Sequence, residues 1–228
     1  AEYVAGRSDR FVALGSVPMQ DGHLAAEELG RVMKMSGMKG VQILTTIGDK
    51  EISDPSFEPF WTKAEETNAV VLLHPNGFTQ GQRLKNHYYN NVIGNPLETT
   101  MAIHNLIFDG VLERHPKLKI VVVHGGGYVG GYAGRMDHAW GARGDAKAGL
   151  PKPPTSYFKQ LYFDTVVFTY EQLEALVRLV GVDHVVMGTD YPFDMADSDP
   201  VGHVANSALD KAAIGAICGG NAKKLLNL

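Results

Sequence analysis

The sequence predicts an α/β fold built on a parallel sheet, and three observations predict it. Segments of strand character alternate with segments of helical spacing along the 228 residues. The strand segments include continuous apolar runs, such as IVVV at residues 120–123. Such runs lack the in–out alternation of a half-solvated strand, so both faces are expected to be covered, as in a sheet clothed by helices. Finally, several of these runs end directly in a histidine or an aspartate, the position where parallel α/β barrels keep their chemistry.

The elements follow in order. Residues 11–19 (FVALGSVPM) read as a first strand and 24–36 as a helix. Residues 40–47 (GVQILTTI) form a second strand, followed by a helix over 57–67 and a third strand at 69–74 (AVVLLH). A long loop over 75–94 leads to a helix running to Arg114. Asn95 suits its cap, Pro96 its first turn, and Glu98 the third position of a capping box. His115-Pro116 stops that helix. The fourth strand ends LKIVVVHGGG at residues 118–127, and 128–154 read as helix plus loop. A fifth strand at 161–167, a helix at 170–180, a sixth strand at 184–188 (HVVMG) and a closing helix in GGNAKKLLNL complete the pattern. No repeat or linker divides the chain, so residues 1–228 are expected to form one domain.

Composition narrows the function. A net charge near −4 argues against a nucleic-acid partner or an anionic membrane surface. No apolar run approaches the roughly 18 residues of a membrane span. No basic start leads into an apolar signal core, and the single cysteine, Cys218, cannot form an internal disulfide. Both features point to a cytoplasmic protein.

Six strands alternating with helices fit either a barrel or an open doubly wound sheet. No glycine-rich nucleotide loop follows the first strand, so the nucleotide-binding version lacks its signature. The third, fourth and sixth strands end in His74, His124 and Asp190. Imidazole and carboxylate suit zinc or a similar divalent ion. Such an ion lowers the pKa of a bound water or polarises a substrate oxygen. The remaining histidines, His23, His104, His115, His138, His184 and His203, sit on helices or at element starts and read as structural or solvent-facing. His87, Tyr88 and Tyr89 read as a packed loop, with the lining of a pocket as the alternative.

The stretches HPNG, HGGG, GTDYPF and GNAKKLL, with NPLETTMAI and ERHPKLKIVVVHGGG, resemble the amidohydrolase superfamily. The nearer branch is that of aminocarboxymuconate semialdehyde decarboxylase and related aromatic-acid decarboxylases. The resemblance implies a (β/α)8 TIM barrel, here incomplete, with strands three to eight present and the first two missing. It also implies that the His-x-His pair of the first strand lies outside this chain, for no H-x-H occurs in it. The chain is therefore expected to be the carboxyl-terminal two-thirds of a longer or truncated protein.

By the same resemblance, His74 and Asp190 are metal ligands. His124 is a general base or acid beside the metal and a possible third ligand, and Asp190 is a proton relay. One divalent ion is implied, zinc or alternatively manganese, because residues 40–47 offer no bridging lysine or glutamate. No organic cofactor is implied. Arg135, eleven residues after His124, matches an arginine that grips the substrate carboxylate across a homodimer interface, where guanidinium forms two parallel bonds. The implied activity is decarboxylation of an aromatic or unsaturated small-molecule carboxylic acid. The alternatives are a hydrolase or hydratase of the same superfamily and an inactive fragment.

Overall fold

The computed structural model describes residues 1–147 and 149–228. After a short amino-terminal turn of helix (α1, Glu2–Ala5), strand β1 (Ala13–Gly15) leads to helix α2 (Gly22–Val32) and strand β2 (Met38–Ile43). The Asp21 carboxylate starts α2 by accepting the N–H groups of His23 and Leu24 at 2.8 and 3.0 Å. A small antiparallel hairpin, β3 (Thr46–Ile47) with β4 (Lys50–Glu51), stands apart from the main sheet. Helix α3 (Glu58–Glu66) then buries Phe60 and Trp61 in the core, and the Trp61 indole N–H donates to the Ile52 carbonyl at 3.1 Å.

Strand β5 (Val70–Leu73), helix α4 (Asn95–Phe108), helix α5 (Val111–Arg114) and strand β6 (Lys119–Val122) follow. The single helix predicted over 95–114 is thus two. Gly110, in the left-handed region at φ 76°, breaks it. Helices α6 (Val129–Ala142) and α7 (Gly144–Lys147) precede strand β7 (Leu161–Asp164), helix α8 (Tyr170–Val180) and strand β8 (Val185–Val186). Two helices that the sequence pattern did not mark, α9 (Pro200–Ala205) and α10 (Lys211–Gly215), come before the closing helix α11 (Asn221–Leu226).

The six long-range strands form one parallel sheet in the order β1-β2-β5-β6-β7-β8. Neighbours in this sheet are consecutive strands of the chain, with the hairpin set aside, as in a barrel rather than a doubly wound sheet. The chain therefore holds six strands of a (β/α)8 barrel, and β1 and β8 form its edges. Alternate residues divide between two cores. Val71, Leu73, Ile120, Val122 and Phe163 face the helices. Val70, Val121 and Val186 face the other way, where Leu225 of α11 covers them. Burial on both faces explains why these strands read as unbroken apolar runs.

Strand register fixes the working end of the sheet. Leu73 pairs with Val122, Val122 with Phe163, and Phe163 with Val185. The strands therefore finish at one level, and the residues just past Leu73, Val122 and Val186 emerge together.

The proposed capping box does not form. Asn95 already has helical backbone angles, continuing a wider turn at Asn90–Gly94. Its Oδ1 accepts the Gly77 N–H at 2.8 Å and ties down the long loop instead. Glu98 turns inward and is almost fully buried, accepting the Thr45 hydroxyl at 3.3 Å. Burial pushes its carboxyl above the usual range; the Thr45 bond opposes the shift, and the charge of Glu51 adds to it.

Candidate active site

His74 follows the last residue of β5, and its backbone N–H donates to the Ile43 carbonyl at 3.0 Å. The ring lies with Nδ1 2.7 Å from the Pro75 carbonyl oxygen. A carbonyl only accepts, so Nδ1 carries a proton, and in the neutral ring Nε2 carries the lone pair. That Nε2 lies 3.4 Å from Oδ1 of Asp190. Two acceptor atoms thus face each other at the mouth of the sheet.

His124 completes the cluster. Its ring is 5.3 Å from that of His74, centroid to centroid, at an interplanar angle of 67°. One ligand atom from each of His74, His124 and Asp190 falls within 4.8 Å of the others. His124 Nδ1 is buried with no hydrogen-bond partner among the described residues. Burial pushes the His124 pKa down to about 4, the neighbouring His74 imidazole adds to the shift, and Asp190 opposes it. The imidazole is therefore neutral at neutral pH.

The backbone around His124 explains the three glycines. His124, Gly125, Gly126 and Gly127 all have positive φ, between 57° and 77°. A Cβ on Gly126 would stand 2.6 Å from the Phe163 ring, and one on Gly127 would stand 2.2 Å from the Pro96 carbonyl oxygen. Only glycine meets both the angle and the space. Asp190 likewise sits in the left-handed region, at φ 59°.

The sequence reading missed several groups at this mouth. The Tyr88 hydroxyl donates to Asp194 Oδ1 at 3.0 Å and joins the two loops flanking the site. The Phe193 ring stacks against His74 at 6.5 Å. Asp164 closes β7 from a fully buried position, and burial pushes its carboxyl up to about 6 against the pull of the backbone N–H groups of Gly125, Val166 and His124. The available signal was LYFDT, a further strand ending in a carboxylate.

Beside the cluster lies a cavity of about 430 Å³ with His124 and Asp190 in its wall, and Val92, Tyr128, Phe168 and Met195 are among its other lining residues. The residues found together are therefore His74, His124 and Asp190. Arg135 lies on the exposed face of α6 and does not line the cavity. The other seven histidines lie outside the cluster. His115, for example, is buried between Glu58 and Glu65.

Two opposed acceptors and a buried ring nitrogen without a partner form a set that a divalent cation satisfies, so these residues fit such an ion. Parallel strands ending in a His, His and Asp cluster define a metal-site protein of the (β/α)8 barrel class. Within that class the chain belongs to the amidohydrolase family, whose sequence model (Amidohydro_2, Amidohydrolase) matches residues 1–228.

Among known proteins, the chain is 35% identical to the 2-amino-3-carboxymuconate-6-semialdehyde decarboxylase of Dictyostelium discoideum. The match covers all of this chain and 64% of that protein. It is 28% identical to the gamma-resorcylate decarboxylase of Rhizobium sp. (strain MTP-10005), covering 100% of this chain and 73% of the relative. Among solved structures, the 5-carboxyvanillate decarboxylase of Sphingomonas paucimobilis superposes with a TM-score of 0.90 at 26% identity, over 100% of this chain and 70% of that one. A dihydroxybenzoic acid decarboxylase from Polaromonas sp. JS666, solved with bound manganese and the inhibitor 2-nitroresorcinol, gives 0.90 at 25% identity, over 100% and 72%. The chain thus spans just under two thirds of the length of the Dictyostelium relative.

Proposed function

We propose that this chain carries the catalytic strand ends of a metal-dependent decarboxylase acting on an aromatic or unsaturated carboxylic acid. The observation that carries this reading is the pair of facing acceptors, His74 Nε2 and Asp190 Oδ1, with neutral His124 beside them. The decarboxylase relatives support the reaction class, and the manganese in the Polaromonas structure supports a divalent ion, either manganese or zinc.

His74, Asp190 and His124 would hold the ion, which when bound supplies positive charge to orient the acid and withdraw electron density from it. The partly apolar cavity receives the ring or unsaturated chain and limits water around it. Asp190 relays a proton, taken up on a carboxylate oxygen, to the carbon that bears the substrate carboxylate. His124, neutral because it is buried, takes up or returns a proton at a ring nitrogen without first losing one to solvent. The carbon–carboxylate bond then breaks, CO2 leaves, and the new C–H bond takes the place of the lost C–C bond. Arg135, exposed on α6, serves the carboxylate of a substrate held by a second copy in a homodimer. A cytoplasmic setting agrees with the single cysteine.

The test is to load the chain with Mn2+ or Zn2+ and measure CO2 release from 2,6-dihydroxybenzoate, 5-carboxyvanillate and 2-amino-3-carboxymuconate-6-semialdehyde. CO2 release that disappears in Asp190→Asn supports the reading. Consumption of substrate with no CO2 would favour a hydratase or hydrolase. No reaction in a metal-loaded chain would favour an inactive fragment.

A further inference from the structure

Both His124 and Asp190 hold backbone angles that side-chain-bearing residues rarely adopt, with φ of 57° and 59°. Such conformations are strained and persist where neighbours over-determine them. One dipeptide at the end of β7 touches the backbone beside both. Asp164 Oδ1 accepts the Gly125 N–H at 2.8 Å and the Val166 N–H at 3.1 Å. The Gly125 N–H belongs to the peptide that leaves His124, so anchoring it fixes ψ of His124 and the direction of its imidazole. Thr165 Oγ1 accepts the Gly188 N–H at 3.2 Å and donates to the Gly188 carbonyl at 3.4 Å, two residues before Asp190.

Asp164 also fills space that the neighbouring strand leaves for it. A Cβ on Gly188 would lie 2.9 Å from the Asp164 Cβ and 3.3 Å from its Oδ2. The aspartate is thus wedged between the two strand ends that carry His124 and Asp190. It is not part of the three-residue cluster, nor does it line the cavity. Its carboxylate is spent on backbone N–H groups.

We propose that Asp164 and Thr165 are positioning residues that set the distance and direction between His124 and Asp190. This inference rests on the reading of those two residues as part of the functional site. Asp164 holds the turn after β6 and Thr165 holds the bend after β8, so the seventh strand end acts as a common brace for its neighbours. Outer groups of this kind characteristically alter metal affinity or activity by about 10–100-fold when removed.

The experiment uses Asp164→Ala, Asp164→Asn and Thr165→Val in the full chain, with two readouts. The first needs no metal: NMR signals of the His124 ring and hydrogen exchange of the Gly125 amide, with the Trp61 indole as a distant reference. The second is Mn2+ affinity by paramagnetic resonance. Asp164→Ala is expected to shift the His124 ring signals, expose the Gly125 amide to exchange and weaken Mn2+ binding by about 10–100-fold. Asp164→Asn retains an oxygen at the Oδ1 position and is expected to restore both. Thr165→Val, nearly isosteric, is expected to weaken Mn2+ binding while leaving the His124 ring signals in place.

If Asp164→Ala fails to fold, the contrast between Asp164→Asn and Thr165→Val carries the test. Unchanged Mn2+ affinity in Thr165→Val, or loss of the His124 signals in Asp164→Asn, then overturns the proposal. In a folded Asp164→Ala, unchanged ring signals and affinity overturn it. If the parent chain itself binds no Mn2+, the metal reading fails, and the ring and amide signals still decide whether Asp164 braces His124.

Discussion

His74 Nε2 lies 3.4 Å from Asp190 Oδ1 across 116 positions of sequence. The contact has an unusual polarity for a protein interior. The Pro75 carbonyl takes the Nδ1 proton, so in the neutral ring neither facing atom has a hydrogen to give. An arrangement of this kind is relieved by a cation or by an added proton, and the nearby His124 adds a further lone pair.

Substitution of this pair therefore separates metal binding from folding. His74→Ala and Asp190→Asn are each expected to lower Mn2+ affinity by at least about 100-fold, beyond the usual loss from an outer partner. Metal-free Asp190→Asn is expected to melt no lower than the parent, because its amide can donate to His74 Nε2. Calorimetric titration and thermal melting check the two halves.

Glu98 gives the fold a pH dependence away from the site. Its folded carboxyl lies above the ordinary value of 4.5, chiefly through burial. Below that value folded and unfolded states are both protonated. As pH rises, the unfolded chain ionises first, so the contribution of Glu98 to stability falls until the folded carboxyl ionises too. Glu98→Gln is expected to match the parent at pH 4 and to melt above it at pH 7. A variant that melts lower at pH 7 would contradict this.

Gly127→Ala is expected to cost at least about 3 kcal/mol, because φ 65° with ψ −127° is glycine territory and strain there alone reaches roughly 1–3 kcal/mol. The methyl group would also meet the Pro96 carbonyl oxygen at 2.2 Å. Urea unfolding measures the loss.

Asn221 ties the closing helix to the edge strand β8. Its Nδ2 donates to the carbonyls of Val182 and Val185 at 2.8 and 2.7 Å. Asn221→Ala leaves both acceptors bare and is expected to cost about 1–3 kcal/mol. Asn221→Asp, which sets further acceptors against them, is expected to cost more. Denaturant midpoints rank the two variants.

Arg135, being exposed, is expected to tolerate alanine with a stability change within about 0.5 kcal/mol. A rise in KM for a carboxylate substrate in Arg135→Ala, not rescued by Arg135→Lys, would mark the loss of a two-pronged contact.

The sequence by itself determined the strands and their working end. Continuous apolar runs ending in His74, His124 and Asp190 marked a sheet buried on both faces, and parallel pairing with crossover helices brings such ends to one side. That inference needs only side-chain character and chain order. The helix break at Gly110, the inward turn of Glu98 and the service of Asn95 to the loop at Gly77 were not legible. Nor were the Tyr88–Asp194 link and the Asp164–Thr165 brace. Each depends on which backbone or side-chain polar groups remain unpaired once distant segments meet, and on the partner that then lies within about 3 Å. Tertiary structure decided those pairings, because buried polar groups take whichever partner the packing of the sheet brings within reach.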